Sequence, residues 1–193
     1  MSVRVVDPGF NVTVQDLGRP SFQHLGVPVS GAVSPAALKI GNALVGNDQN
    51  MACLEIRLIG PTMEVLCDAA RLALTGTNIE IELIGGSRGF QPANQSLVLR
   101  RGQKFKIGTI SDSGSAYLAI EGGFRLPQVY GSLSTYVRAN IGGFLGRALI
   151  EGDEIPLNKN DVEDRSELRV SNLEATEEKG PIRIIFGPQK DFF

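Results

Sequence analysis

The chain contains no tryptophan, a single histidine and two cysteines in 193 residues. One histidine and two scattered thiols, Cys53 and Cys67, lack the spacing of a zinc site, so no metal is expected. Thiols embedded in apolar stretches read as buried and reduced, which suits a cytoplasmic protein. No apolar run reaches the ~20 residues of a membrane span, and MSVRVVDPGF has no signal-peptide core. No GxxxxGK[ST] occurs, no GxGxxG follows a strand, and no Met-Lys dipeptide of the biotin-accepting kind is present. A strong field is lacking too. Nineteen basic and 21 acidic residues leave a net charge of -2, with the surplus acid beyond residue 157. Such a body does not attract nucleic acid or an anionic membrane.

Glycine is plentiful instead, and 193 residues suffice for one domain with a substantial core. Residues 15–34, QDLGRPSFQHLGVPVSGAVS, mix Asp16, Arg19 and His24 with glycines and prolines that suit neither a central strand nor a helix interior. This is a shaped loop, of the kind that carries function or wraps a rim. Val3–Val6 and Val12–Gln15 read as short strands on either side of an Asp7-Pro8-Gly9 turn. Ser34 as a cap, Pro35 at the first position and apolar residues at 37, 40 and 44 predict a helix from Pro35 to Leu44, stopped by Gly46-Asn47.

From Ala52 onward the period becomes two. Strands are expected around Leu54–Leu58, Met63–Val65, Leu72–Leu74, Ile79–Leu83, Leu97–Leu99, Phe105–Ile107 and Tyr117–Ile120. With turn signals between them, they predict an antiparallel sandwich or barrel; a parallel sheet would need crossover helices. Arg100, Arg101, Lys104 and Lys106 surround Gly102 in an expected hairpin turn. Residues 158–180 are rich in charge and read as an exposed connector with a strand at Leu168–Val170. Arg183–Phe186 is expected to be a strand.

QDLGRP, QHLGVPVSGA, NALVGN, LEI, YLAIEGG, YGSLST, GGFLGR and FGPQ, in this order, resemble the signature of the allophanate hydrolase subunit 2 family. That family is also called the biotin-dependent carboxyltransferase or 5-oxoprolinase C-subunit family, and includes the antagonist of a sporulation-kinase inhibitor. Ser21 stands where the family usually has Gly, and Val33-Ser34 where it usually has Met-Asp. The resemblance implies a mainly β, cyclophilin-like antiparallel barrel lobe over residues 1–157. The connector at 158–180 and the start of a second lobe at 181–193 follow, with the rest of that lobe missing from the chain.

The implied function is that of a subunit of an ATP-dependent 5-oxoprolinase, which opens 5-oxoproline to glutamate with a subunit 1 homologue of the 5-oxoprolinase B-subunit type. The alternatives are carboxyl transfer from carboxybiotin to urea or a related amide, and a regulator that sequesters a kinase inhibitor. A prolyl isomerase is suggested by fold alone, which does not carry function. ATP or carboxybiotin would act through the complex, with no cofactor held by this chain.

Three residues are candidates for catalysis: Arg19, His24 and Arg147. His24 is the only histidine, the residue type whose unperturbed pKa suits a general base, or it is structural. Arg147 closes GGFLGR, whose glycine N–H groups suit an anion or developing oxyanion, or whose glycines make a barrel corner. Arg19 is expected to pair with Asp16, either as a structural ion pair or to present its remaining N–H groups to a substrate. Gln15, Asp16, Ser30, Gly31, Ser132, Ser134, Thr135, Gly142 and Gly143 are the candidate substrate-binding positions. Glu55 faces solvent or a cleft. Arg19 and Arg147 are expected to point into one cleft.

Overall fold

The computed structural model describes residues 1–85, 89–171, 180–181 and 183–189. One sheet orders its strands as β11 (Glu154–Pro156), β1 (Ser2–Asp7), β4 (Thr62–Val65), β9 (Lys104–Ile107), β6 (Ile81–Ile84) and β7 (Gly89–Gln91). The other runs β2 (Thr13–Gln15), β3 (Cys53–Ile56), β10 (Ala116–Ile120), β5 (Ala69–Thr75) and β8 (Ser96–Arg100). All neighbouring strands are antiparallel, as the alternation predicts.

Val3, Val5, Met63, Val65, Phe105 and Ile155 of the first sheet meet Val14, Leu54, Leu72, Leu74, Leu118 and Ile120 of the second in one core. The second sheet is buried on both faces, because α1 (Pro35–Val45) covers its outer side. Leu38, Leu44 and Val45 of the helix pack there against Cys53, Ala73, Tyr117 and Ala119. The helix begins where Ser34 Oγ accepts from the Ala37 N–H at 3.4 Å, and ends at Gly46 in the left-handed conformation.

Several expectations change. No ladder joins the two sheets among the described residues, so they form a three-layer β/β/α sandwich and not a closed barrel. The turn at Gly102 carries the chain from β8 in one sheet to β9 in the other, so it is a corner between sheets and not a hairpin. The third strand stops at Ile56, since Leu58 adopts a left-handed φ of 59°. The short strands β7 and β11 have too few alternating residues to announce themselves. Arg183–Phe186 forms no strand, and Ile184, Ile185 and Phe186 are exposed. Among the described residues the main chain there has no strand partner to complete a ladder.

Residues 158–171 are mostly exposed, and they are tied to the sandwich. Arg71 on β5, only 1 % exposed, pairs with Glu121 and Glu167 and donates to the Glu163 carbonyl at 3.0 Å. Lys159 completes the group by binding Glu121 at 2.7 Å. Arg165 donates to the Leu44 carbonyl at the end of α1, where orphan carbonyls need donors. Farther on, Arg169 makes an isolated antiparallel bridge with Gln95, the remnant of the strand expected at Leu168–Val170.

Candidate functional site

The loop after β2 closes on itself. Arg19 N–H donates to the Val29 carbonyl at 2.8 Å and Ala32 N–H to the Asp16 carbonyl at 2.9 Å. Gly31 passes so close to Gly18 that a Cβ would come within 2.9 Å of its nitrogen. Neighbouring Ser30 is half-buried with a φ of 57°, so both residues shape the crossing. Ser21 holds a φ of 76°, the left-handed region that glycine favours. The Gly that the resemblance implies there would suit that position; Ser is strained.

Asp16 is the hub of this loop. Its Oδ1 accepts from Gly18 N–H at 2.7 Å, Ser132 Oγ at 2.7 Å and Ser134 Oγ at 2.5 Å; Oδ2 accepts from Leu133 N–H at 2.6 Å. Four donors leave the buried carboxylate fully engaged, which is why it tolerates burial without a cation in contact. Beside it, Thr135 donates to the Val14 carbonyl from both its N–H and its hydroxyl, each at 2.9 Å, covering the free edge of β2. Gln15 is buried, donating from Nε2 to Thr13 Oγ1 and the Thr135 carbonyl, with Oε1 unpartnered.

Arg19 is fully buried and does not pair with Asp16. It donates to the Val129 and Ser134 carbonyls, and Nη1 has no partner. Burial lowers its pKa, against the opposing pull of the Asp16 charge. GGFLGR does meet this loop. A Cβ on Gly142 would fall 2.2 Å from the Ser134 carbonyl oxygen and 2.7 Å from Arg19, and one on Gly143 would collide with Thr135.

The two arginines nevertheless do not share a cleft. Arg147 is clamped by Asp153, at 2.7 and 2.8 Å, and donates to the Ala148 carbonyl at 2.9 Å. Its guanidinium lies over the Phe144 ring, 5.8 Å from the centroid. His24 sits exposed on a single 3-10 turn, Gln23–Leu25. Glu55 is buried, facing neither solvent nor a cleft. It accepts from Val33 N–H at 2.9 Å, from Tyr117 OH at 2.7 Å and from Arg57, fastening the loop's end to the sheet. Tyr117 in turn accepts from Ser34 N–H, and burial pushes its phenol up to about 12.

The cleft itself lies on the other side of Asp16 and Leu133 and measures about 560 Å³, the size of a small-molecule site. Most of its lining comes from two segments, within residues 48–52 and 122–128. Asparagines brace both. Asn42, buried in α1, donates to the Met51 carbonyl at 2.7 Å, while Asn47 donates to the Ile120 carbonyl and accepts from Gly122 N–H, both at 2.8 Å. Asn158 donates to the Gly122 carbonyl at 2.8 Å. Asp48, Asn50, Arg125 and Gln128 supply the cleft's polar groups, and Met51, Phe124 and Leu126 its apolar surface. Of the candidate residues chosen from sequence, Asp16 alone lines it. The missed residues follow directly on NALVGN and YLAIEGG, so the two motifs mark both segments without marking the chemistry.

Among the described residues no group of three or more His, Cys, Asp or Glu side chains is placed to hold a metal, and no helix is long and apolar enough to cross a membrane.

Residues 25–193 match the family described as carboxyltransferase domain, subdomain A and B. The chain is 34 % identical to the 5-oxoprolinase C subunit of Escherichia coli over 189 residues, which is 97 % of this chain and 58 % of that protein. It is 31 % identical to urea amidolyase of Saccharomyces cerevisiae over 89 % of this chain and 9 % of that one. The crystal structure of Kluyveromyces lactis urea carboxylase superposes with a TM-score of 0.77 at 33 % identity, covering 82 % of this chain and 14 % of that one. The chain thus spans only part of the length of each of these relatives. Sequence motifs, sandwich and alignment agree: the chain belongs to the carboxyltransferase domain family, subdomain A and B.

Proposed function

We propose that the chain acts as part of a 5-oxoprolinase C subunit, in an ATP-dependent complex that opens 5-oxoproline to glutamate. The observation that carries this reading is the alignment with the Escherichia coli protein over 97 % of the chain. A small cleft lined by amides, one arginine and carboxylates supports it, being suited to a compact polar amide. A subunit 1 homologue of the 5-oxoprolinase B-subunit type is the proposed partner, and the setting is cytoplasmic. Kinship of the lobe with cyclophilin-like barrels, here with its sheets unjoined, belongs to the same proposal.

ATP is assigned to other chains of the complex. Asp16 and Asp48 beside a single arginine are a poor fit for a triphosphate, which calls for several cations or a glycine-rich nest. In this reading Asp16, Ser132 and Ser134 hold the cleft wall in place, with Arg19 stiffening it from behind. His24, exposed and outside the cleft lining, enters the chemistry only if a partner protein covers it.

Carboxyl transfer to urea or a related amide is the second reading, supported by the family's description and by the urea carboxylase fold match. Reconstitution with the other 5-oxoprolinase subunits decides between them. ATP-dependent release of glutamate from 5-oxoproline is the expected result. Carboxylation of urea from carboxybiotin, with no glutamate formed, would overturn it.

A further inference from the structure

The cleft carries a charge that the fold does not use. Arg4, Arg57, Arg71, Arg101 and Arg147 are each paired with carboxylates of the protein. Arg100, Arg125, Arg138, Arg169 and Arg183 have no side-chain partner among the described residues, and of these Arg125 alone lines the cleft. Its backbone is nevertheless fixed. The Arg125 N–H donates to the Pro156 carbonyl at 2.8 Å, and Phe124 makes a bridge with Leu157. Just upstream, Asn47 and Asn158 hold Gly122 from its N–H and its carbonyl. An exposed side chain thus stands on a braced base in the lining of the cleft.

We propose that Arg125 anchors the carboxylate of a small lactam or amide acid bound in this cleft. The identity of the ligand rests on the 5-oxoprolinase reading; the site itself rests on the geometry. A guanidinium takes a carboxylate through two parallel N–H donors, a geometry that lysine cannot reproduce. The remaining polar groups complement the rest of such a molecule. Asp48 offers an acceptor for a lactam N–H, and Asn50 and Gln128 offer amide donors for its carbonyl. Neither carboxylate of the site pairs with Arg125 among the described residues: Asp16 is engaged by four donors, and no ion pair joins Asp48 to Arg125. Met51, Phe124 and Leu126 face the hydrocarbon part. Urea, which has no carboxylate, leaves Arg125 without a function.

The chain provides its own reporter. Of its three methionines, Met51 lines the cleft, Met63 is sealed in the core and Met1 is at the exposed N-terminus. With methyl-13C methionine, titration of the full chain with 5-oxoproline should shift the Met51 signal and leave Met63 still. Arg125→Ala should weaken that binding at least tenfold, and Arg125→Lys by less, both with an unchanged melting temperature because the side chain is exposed. 2-Pyrrolidone, the same lactam without its carboxylate, should bind wild type and Arg125→Ala equally weakly. Equal affinity of wild type for both ligands, or an unaffected Arg125→Ala, would overturn the anchor. So would a silent Met51 in a chain whose reconstituted complex turns over 5-oxoproline, since the substrate then sits elsewhere and only the 5-oxoprolinase reading stands. An Arg125-dependent shift without glutamate formation would keep the site and sink that reading.

Discussion

The Ser134 hydroxyl meets Asp16 twice, donating to its carboxylate at 2.5 Å and accepting from its backbone N–H at 3.0 Å. The two residues are far apart in sequence, so this contact closes the loop after β2 onto the segment that separates Arg19 from the cleft. Asp16→Asn removes one acceptor and turns an NH2 group toward a donor. Whichever way the amide is placed, it cannot accept from both the Leu133 N–H side and the Ser132–Ser134 side. The variant is expected to lose about 2–4 kcal/mol, the scale of breaking buried hydrogen bonds to a charged group. Urea titration checks this, and a loss below about 0.5 kcal/mol would show that the hub contributes little.

Gly142 and Gly131 separate crowding from backbone strain. Both have a left-handed φ, 68° and 73°. A Cβ at Gly131 meets nothing within 4 Å, whereas at Gly142 it strikes the Ser134 carbonyl oxygen. Gly131→Ala should cost about 1 kcal/mol, from the left-handed conformation alone. Gly142→Ala should cost at least about 2 kcal/mol more, because a carbonyl and a buried arginine must both move. Equal melting temperatures for the two variants would contradict the close approach.

Arg147→Ala is expected to act on stability and not on ligand affinity. Burial raises the Asp153 carboxyl, but hydrogen bonds from Arg147 and the Ile150 N–H outweigh it, so the group lies below its ordinary 3.8. A carboxyl depressed in the folded state stabilises above its unfolded pKa and loses that contribution as pH falls through the folded value. Wild type should therefore exceed the variant most near neutrality, and the gap should narrow as pH drops below about 3.8. A gap independent of pH would rule out the ion pair as its source. Reduced affinity for 5-oxoproline without lost stability would return Arg147 to the site.

The tail is held by charges of unequal burial. Arg71→Ala strands Glu121, 7 % exposed, beside Lys159 alone, and should cost about 3–5 kcal/mol, as for a broken buried pair. Glu167 is 36 % exposed, so Glu167→Ala should cost under about 1 kcal/mol. Denaturant titration gives the order directly. The reverse order would mean that the connector, not Glu121, is the principal partner of Arg71.

The pattern of side chains was enough to specify the helix and most of the strands. Alternating apolar residues produce strands in any context that buries one face, and Ser34, Pro35 and Gly46 bound the helix through backbone donors and acceptors that lie within a few residues. The ordered motifs also carried the family. What they could not specify is which sheet each strand joins. The Gly102 turn looks like a hairpin because its residues are turn formers, and only the packing of two sheets makes it a corner. Arg19 and Arg147 looked alike as forked donors near glycines. Tertiary structure decided that one is sealed against carbonyls and the other neutralised by Asp153, because charge partners are set by distance in space and not in sequence. The cleft was decided there too. Asp48, Asn50 and Arg125 resemble ordinary loop residues in the sequence, and they become one site only when the packing of α1 on β10 brings their two segments together.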